Sequence, residues 1–287
     1  MLEWVAQNMA GVKVKQVVVQ GIPLDENSSF MRGPALAPTH IRAALAAGAM
    51  NWCTEAGLDL ATLEGSSWSD VGDLNLTEVS GLQAILEIER GTVDLLAKNF
   101  QVLSLGGDHS VTYPILKAYA PKYPQITILH FDAHPDLYHD FEGNPFSHAS
   151  PFARIMEEKL ASRLIQVGIR TMNPHQCEQV ERFGVEVIEM RNFKADLPVF
   201  SEITGPVYLS LDLDALDPAF APGVSHYEPG GLSTRDILSV IQTLSAPIIG
   251  ADIVEFNPTR DPAGVTAMVA AKFYKEFIGQ MLQSPHQ

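Results

Sequence analysis

The chain alternates between short apolar runs and longer segments whose apolar residues recur at helical spacing. Apolar runs rich in β-branched residues predict buried strands, whereas i, i+4 spacing predicts amphipathic helices. The predicted strands are Val14–Ile22, Val102–Leu105, Ile126–Leu129, Leu164–Gly168, Val185–Glu189, Val207–Leu211 and a run after Pro247. The predicted helices begin near Pro38, Thr77, Val111, Phe152, Pro174, Ser233 and Gly264. This alternation predicts a three-layer α/β/α fold with a mostly parallel central sheet.

The same pattern bears on domain organisation. Strands and helices alternate along the chain without an internal repeat, a linker or a low-complexity tract. Residues 48–75 are rich in Gly and Ser and are expected to form an irregular surface excursion. We therefore interpret residues 1–287 as a single domain, a length that one large α/β domain accommodates.

Polar residues directly follow three of the apolar runs. The central run continues as TILHFDAHPD, which places Asp132, His134 and Asp136 at alternate positions. Alternate side chains of an extended segment point to the same side. The run VYLSLDLD ends likewise in Asp212 and Asp214, and VLSLGGDHS is a third run of this kind. Because parallel sheets bind ligands at the carboxyl ends of their strands, these side chains are predicted to converge.

The converging side chains have the composition of a metal site. Charged groups at one buried point require compensation, which a divalent cation provides. Oxygen and nitrogen donors without a thiolate suit a hard or borderline metal such as manganese. With His109 included, four aspartates and two histidines are too many ligands for one ion and suit two. Each stretch alone also fits a turn or a helix cap, so the prediction depends on their convergence.

Composition narrows the classes of partner and compartment. The 34 acidic residues outnumber 19 Lys and Arg residues, and the formal charge of −15 argues against nucleic acid or an anionic membrane as partner. The segment MLEWVAQNMAGVKVKQ lacks the pattern of a secretory signal, and no apolar run approaches the roughly 18 residues of a membrane span. Cys53 and Cys177 are isolated, which is typical of reduced thiols and predicts a cytoplasmic protein.

Five longer motifs carry a resemblance to a known family. GGDHS, DAHPD, SHAS, SLDLDALDPAFAPG and DIVEFNP occur in this order, and the chain resembles the ureohydrolases, which include arginases and agmatinases. The similarity extends from Gly21 to GVTAMVAAK at Gly264 and is greatest to plant-type arginases. It implies an arginase-like fold and hydrolysis of a linear guanidino compound to urea and an amine. L-Arginine to L-ornithine is the preferred reaction; agmatinase (agmatine to putrescine) and guanidinobutyrase are the alternatives.

The resemblance also implies two Mn²⁺ per chain. Each ion would have one imidazole and three carboxylate ligands: the first His109, Asp132, Asp136 and Asp212, the second His134, Asp132, Asp212 and Asp214. Two such cations would form hydroxide from water near neutral pH. Four aspartates would cancel the metal charge, and the bound hydroxide would make the site net negative. A cationic guanidinium would therefore be a suitable substrate and an anionic phosphate would not.

The resemblance assigns catalytic roles to three residues: His148, Glu255 and the metal ligand Asp136. Glu255, in EFNP, would pair with the guanidinium of the substrate. His148, in SHAS, would carry a proton to the leaving amine, because imidazole titrates near neutral pH. His130 is expected to be a satisfied core histidine, and Asp108 is expected to orient the neighbouring ligand or the backbone.

The chain departs from animal-type arginases where the tail of the substrate would bind. In those enzymes the strand that ends in G[LI]R continues into two aspartates that contact the α-amino group of arginine. Thr171 and Asn173 stand in their place here. Asn144 and Ser147 are the other candidates for tail contacts. Neutral Thr171 and Asn173 are compatible with an α-carboxylate and favour arginine over agmatine.

Two other classes of function remain open at this point. A single-zinc deacetylase on a related fold needs one ion and has no use for His109 together with Asp214, so the number of metal ions per chain separates the two enzymes. A non-catalytic scaffold would release no urea from any guanidino compound. Relatives in the family form trimers and hexamers, so a homo-oligomer is expected from the resemblance.

Overall fold

Eight parallel strands form the central layer of the described chain. The computed structural model describes residues 16–285. The strands are β1 (Val17–Gly21), β2 (Trp68–Asp73), β3 (Gln101–Leu105), β4 (Thr127–Phe131), β5 (Arg163–Ile169), β6 (Glu186–Glu189), β7 (Val207–Asp212) and β8 (Ile248–Val254). Their spatial order is β2-β1-β3-β8-β7-β4-β5-β6, and every neighbouring pair is parallel. The predicted parallel sheet is confirmed.

Helices cover both faces of this sheet. They are α1 (Ala37–Ala46), α2 (Leu82–Ala97), α3 (Thr112–Tyr119), α4 (Pro151–Glu157), α5 (Pro174–Phe183), α6 (Pro198–Ser201), α7 (Thr234–Thr243) and α8 (Val265–Gln283). The helices α1, α7 and α8 pack on one face, and α2, α3 and α4 pack on the other. The predicted three-layer α/β/α fold is therefore confirmed.

Successive residues of each strand enter opposite cores. Val17 and Val19 of β1 belong to the core under α1, α7 and α8, whereas Val18 belongs to the core under α2, α3 and α4. This follows from the two-residue period of a strand. Because both faces are covered, the strands read as continuous apolar runs instead of alternating ones, which made them easy to recognise in the sequence.

Two elements differ from the sequence-based expectation. Residues 48–75 were expected to be irregular, but Trp68–Asp73 form the edge strand β2, which pairs with β1. Only Trp68 of this strand is buried, so its sequence carries no apolar run. Pairing with β1 stabilises the extended conformation that the sequence pattern does not predict. The helix predicted from Thr77 begins at Leu82, because Gly81 has a positive φ of 56° and ends the preceding loop.

The ends of the chain limit two predictions. The first strand was predicted from Val14, but residues 1–15 lie outside the described residues, as does almost all of the segment considered for a secretory signal. None of the helices within residues 16–285 is long and apolar enough to cross a membrane. A single continuous sheet is compatible with one domain, and that interpretation stays a prediction.

Candidate metal centre and active site

The predicted ligands lie at the carboxyl ends of neighbouring strands. Asp132, His134 and Asp136 follow β4, while β7 ends in Asp212 and continues to Asp214. The strands β7 and β4 are adjacent in the sheet, and β3 is separated from β7 only by β8. Since all these strands are parallel, their polar continuations leave the sheet at one edge.

Four residues form the first group that can hold a metal ion. His109 Nδ1 lies 3.2 Å from Asp132 Oδ2, 3.0 Å from Asp136 Oδ2 and 3.2 Å from Asp212 Oδ2. All four residues are buried. Although it faces three carboxylate oxygens, this nitrogen has no hydrogen-bond partner among the described residues. A cation bound at this point would supply the missing partner of this buried nitrogen and would balance the charge of the three carboxylates.

A second group shares a residue with the first. His134 Nδ1 lies 3.1 Å from Asp214 Oδ2 and 3.4 Å from Asp132 Oδ1. Asp132 therefore directs one carboxylate oxygen to each group. Asp212 connects the groups through the backbone, because its Oδ1 accepts a hydrogen bond of 2.8 Å from Asp214 N. The structure thus brings all six predicted metal ligands together, in two clusters able to bind metal.

The protonation of these groups reflects their crowding. Burial and the neighbouring carboxylates raise the pKa of Asp136 to about 6 and raise the pKa values of Asp212 and Asp214. Burial opposes protonation of His109 and His134, but the surrounding aspartates outweigh it, and the pKa of His134 rises to about 12. Divalent cations at the two groups would reverse both effects, because positive charge favours ionised carboxylates and neutral imidazoles.

Backbone geometry turns two carboxylates towards the same cavity. Asp136 and Glu255 have positive φ angles of 51° and 61°. Such conformations cost of the order of 1 kcal/mol or more for residues other than glycine and concentrate at functional sites. Each of the two follows a strand, β4 or β8, and each lines the cavity described below.

Glu255 and His148 form a pair beside the metal ligands. Glu255 Oε1 accepts 2.9 Å from His109 N and lies 2.8 Å from His148 Nδ1. On the other side of the ring, Ser29 N and Ser29 Oγ lie 3.1 and 2.8 Å from His148 Nε2. The amide of Ser29 can donate to the neutral ring, and its hydroxyl can accept from the imidazolium, so both protonation states are accommodated. Burial opposes the charge on His148, but Glu255 raises its pKa to about 9.

A cavity of about 230 Å³ opens onto this centre. The residues that line it are Ser29, His134, Asp136, Tyr138, Phe141, His148, Ala149, Thr171, Asn173, Gln176, Asp212, Asp214, His226 and Glu255. Within the described part of the chain this wall contains acids and histidines but no Lys or Arg. Its charge therefore suits a cationic ligand.

Two of the four candidates for tail contacts line the cavity, Thr171 and Asn173. Much of the amide of Asn173 is already in use. Its Oδ1 accepts 2.9 Å from Gln176 N and caps α5, and its Nδ2 donates 2.6 Å to the hydroxyl of Tyr138. Asn173 thus has one N–H left for a ligand, and it orients Tyr138, whose own proton remains available.

The other two candidates lie elsewhere. Asn144 Nδ2 donates 3.1 Å to Asn27 Oδ1, and Asn144 Oδ1 accepts from Phe146 N, so its side chain stabilises the loop. Ser147 is buried against a separate small void that Asn27 and Phe146 also line. Neither Asn144 nor Ser147 is on the wall of the main cavity in the described structure.

One wall residue escaped the sequence analysis. The ring of His226 lies 6.0 Å from that of His134 and 5.4 Å from that of His148. Burial and the neighbouring His148 lower its pKa, so the ring is neutral. It belongs to the loop between β7 and α7, in SHYEPGG, where it follows no apolar run and shows no periodicity. The only local signal was its place three residues after the motif SLDLDALDPAFAPG, which had supported the resemblance.

The two minor candidates have structural roles. Burial lowers the pKa of His130 to about 4, and its Nε2 lies 2.8 Å from Asp132 Oδ2. This is the satisfied core histidine that was expected, and it touches a ligand. Asp108 accepts from Ser110 N and Asn27 N, so it orders the turn around His109 and not the imidazole itself.

Comparisons with known proteins agree with this geometry. The family model "Arginase family" matches residues 15–279. Arginase 1, mitochondrial, of Arabidopsis thaliana is 47% identical over 274 residues, which cover 91% of this chain and 80% of the relative. An agmatinase of Bacillus cereus is 32% identical over 92% of this chain and 91% of its own. The solved structure of arginase from Medicago truncatula superposes with a TM-score of 0.88 and 44% identity over 97% of this chain and 91% of that one. The chain belongs to the arginase family.

Proposed function

We propose that this protein is a binuclear manganese hydrolase that converts L-arginine to L-ornithine and urea. The observation that carries the proposal is the pair of ligand groups, joined by Asp132, at an acidic cavity. Similarity to proteins named arginase from Arabidopsis thaliana and Medicago truncatula supports arginine as the substrate.

The donor set fits two manganese ions. The first ion would be held by His109, Asp132, Asp136 and Asp212, and the second by His134, Asp132, Asp212 and Asp214. Six oxygen and nitrogen donors without a thiolate suit manganese, and the orphaned Nδ1 of His109 would gain its missing partner. Manganese bound there supplies Lewis acidity and lowers the pKa of water towards neutrality.

Glu255 would bind the guanidinium. Its carboxylate lies at the cavity wall, and a planar guanidinium forms strong charge-assisted hydrogen bonds with such a group. Glu255 also contacts His109 N, so its position is tied to the first ligand group. The bound cation would thereby be oriented with its central carbon towards the metal ligands.

His148 would supply the proton that the leaving amine needs. With a pKa of about 9 its imidazolium form is present at neutral pH. An alkyl amine has a pKa near 10.4, so proton transfer from His148 to the leaving nitrogen is favourable. The hydroxyl and amide of Ser29 can stabilise the ring before and after the transfer.

Agmatine and guanidinobutyrate are the alternative substrates, and the similarity to an agmatinase favours testing both. The measurement is kcat/KM of the manganese-loaded protein for the three guanidino compounds. Arginine should be preferred. A preference for agmatine of more than about tenfold, or roughly 1.4 kcal/mol, would replace the arginase assignment by agmatinase. No urea from any of them would overturn the proposal, and one zinc ion per chain would favour the deacetylase.

The proposal extends to assembly and location. Family resemblance supports a homo-oligomer, a trimer or hexamer, which light scattering tests directly. The two cysteines are free and exposed, which supports a reducing compartment such as the cytoplasm. Several relatives carry mitochondrial or chloroplastic in their names, so cell fractionation is needed to test the cytoplasmic prediction.

A further inference from the structure

A row of buried polar side chains crosses the sheet one layer below the metal ligands. Its members occupy the same register on six consecutive strands and point to the face covered by α2, α3 and α4: Gln20, Ser104, Asp252, Ser210, His130 and Gln166. All are at most 7% exposed. Polar groups are costly at such depth unless they are hydrogen-bonded. We call these six residues the polar row.

One hydrogen-bonded chain runs from the polar row to the first ligand group. Asp252 accepts 2.7 Å from Ser210 Oγ, 2.9 Å from Thr112 Oγ1 and 2.9 Å from Tyr208 OH. A carboxylate only accepts, so the proton of Ser210 points to Asp252. The lone pairs of Ser210 Oγ then face His109 Nε2 at 3.1 Å, and this nitrogen carries the hydrogen. In the neutral ring that metal binding requires, the other nitrogen, Nδ1, is then the one without a proton, and it faces the three aspartates.

A second chain reaches the residue shared by both groups. Gln166 Nε2 lies 2.6 Å from Pro135 O, which only accepts, so the amide nitrogen is correctly placed as a donor. The same nitrogen lies 3.0 Å from His130 Nδ1, which must therefore accept. His130 Nε2 then carries the hydrogen and donates to Asp132 Oδ2 at 2.8 Å.

Both chains start at a group whose hydrogen-bonding role is fixed, and both end on a metal ligand. Asp252 has no Lys or Arg partner within residues 16–285, and a cation bound by His109 would compensate its charge through the imidazole and Ser210. Its burial would otherwise be unfavourable, since three neutral hydroxyl donors do not neutralise a carboxylate.

We propose that Asp252 with Ser210, and Gln166 with His130, are positioning residues: the first pair selects the tautomer of His109 that binds metal, and the second pair orients the carboxylate of Asp132. The inference rests on the proposed binuclear centre and adds to it the residues that prepare its ligands. Removing Ser210 Oγ would free the ring of His109 to adopt the other tautomer, with a proton on the nitrogen that faces the metal. The ion held by His109 should then bind more weakly, while the ion held by His134 should be little affected.

The chain offers a matched control in Ser104. It lies on the other side of Asp252 in the polar row, is equally buried, and its hydroxyl has no hydrogen-bond partner among the described residues. The experiment measures free Mn²⁺ by electron paramagnetic resonance during titration of wild-type protein, Ser210→Ala and Ser104→Ala. In Ser210→Ala one of the two binding equivalents should weaken about 10- to 100-fold. In Ser104→Ala both should stay within about twofold of wild type.

Further variants make the outcome decisive. Ser210→Thr keeps the hydroxyl and should recover most of the lost affinity. If Ser210→Ala does not fold, Gln166→Met, which removes the donor to His130 at similar volume, should weaken manganese binding by about tenfold. Affinities in these variants equal to wild type, or an equal loss in Ser104→Ala, would overturn the inference. The wild-type protein separates failure of this inference from failure of the proposed function. If it binds two Mn²⁺ and releases urea, the proposed function stands even when the variants overturn the inference. If it does neither, the proposed function is refuted.

Discussion

The wall position of His226 predicts a contact with the substrate. Its neutral ring lines the cavity between His134 and His148, and no hydrogen bond to it is present within residues 16–285. A planar guanidinium stacks favourably on aromatic faces, with about 0.5 to 2 kcal/mol for such contacts. We therefore expect His226→Ala to raise KM for arginine about 3- to 20-fold with kcat changed by less than about threefold, as measured by initial rates of urea release.

The control for this prediction is the next residue. Tyr227 is exposed and does not line the cavity, so Tyr227→Ala should leave KM within about twofold of wild type. Manganese content must be measured in both variants. An unchanged KM in His226→Ala, or a loss of metal that accounts for its lower activity, would contradict a substrate contact.

The residues that could be predicted from the sequence are those with a local pattern. Asp132, His134 and Asp136 stand directly after an apolar run, so their place at the carboxyl end of a buried strand is predictable. The extended geometry expected for them is wrong, because β4 ends at Phe131 and Asp136 has a positive φ of 51°. Asp252 lies within a strand and acquires its role only from the neighbours Ser210 and Thr112, which are distant in sequence. Such roles depend on strand order, which the pattern does not specify.

Gly107 is predicted to be indispensable to the turn between β3 and the residues that precede α3. A Cβ atom there would lie 1.7 Å from the carbonyl oxygen of Leu24, which accepts a hydrogen bond from Asp108 N. Backbone atoms on both sides leave no room for relaxation, because Gly107 O also accepts from Glu255 N. Gly107→Ala should therefore lower the free energy of unfolding by at least about 2 kcal/mol and displace His109, which lowers manganese affinity.

Gly205→Ala is the control variant for Gly107→Ala. An added Cβ at Gly205 would lie 3.6 Å from Gln125 O, an ordinary contact, and its φ is not positive. Chemical denaturation of the two variants should therefore differ, with Gly205→Ala close to wild type. Equal stability of Gly107→Ala and wild type would show that the β3 turn is more adaptable than these contacts indicate.

The elements themselves were predictable to different extents. The buried strands and the helices α5 and α7 follow from apolar runs, helical spacing and capping boxes such as Ser233 with Asp236. The edge strand β2 has only one buried residue and exists through its pairing with β1. Its order depends on a partner about 50 residues away in sequence, so no local pattern could reveal it.

At the scale of the whole molecule, the metal centre and the stability of the fold are linked. Four buried carboxylates meet at the ends of two adjacent central strands, and their mutual repulsion opposes folding in the absence of cations. Ligands that bind only the native state stabilise it by about 2.7 kcal/mol at a concentration of 100 times Kd. Manganese should therefore raise the unfolding temperature, by about 2 to 4 °C for each kcal/mol.

The size of this stabilisation should depend on pH, with a sign that the ligand chemistry determines. Metal binds ionised carboxylates and neutral imidazoles, so every proton on a ligand must leave first. Burial and neighbouring carboxylates raise the pKa of Asp136 to about 6, and the aspartates raise that of His134 to about 12 against the effect of burial. Protons therefore compete with manganese more strongly as pH falls through neutrality, and affinity should drop about tenfold per pH unit for each proton displaced.

We accordingly expect the difference in unfolding temperature between manganese-loaded and chelator-treated protein to be larger at pH 8 than at pH 6. Differential scanning fluorimetry at a fixed excess of Mn²⁺ measures it, and the chelator-treated sample at each pH corrects for effects of pH on the fold itself. Asp212→Ala removes a carboxylate from the first group and, in the proposed ligand sets, from both ions; this variant should show little manganese-dependent shift at either pH. A shift of the same size at pH 6 and pH 8 in wild-type protein would mean that binding displaces no protons, and that the ligands are already ionised as the metal requires.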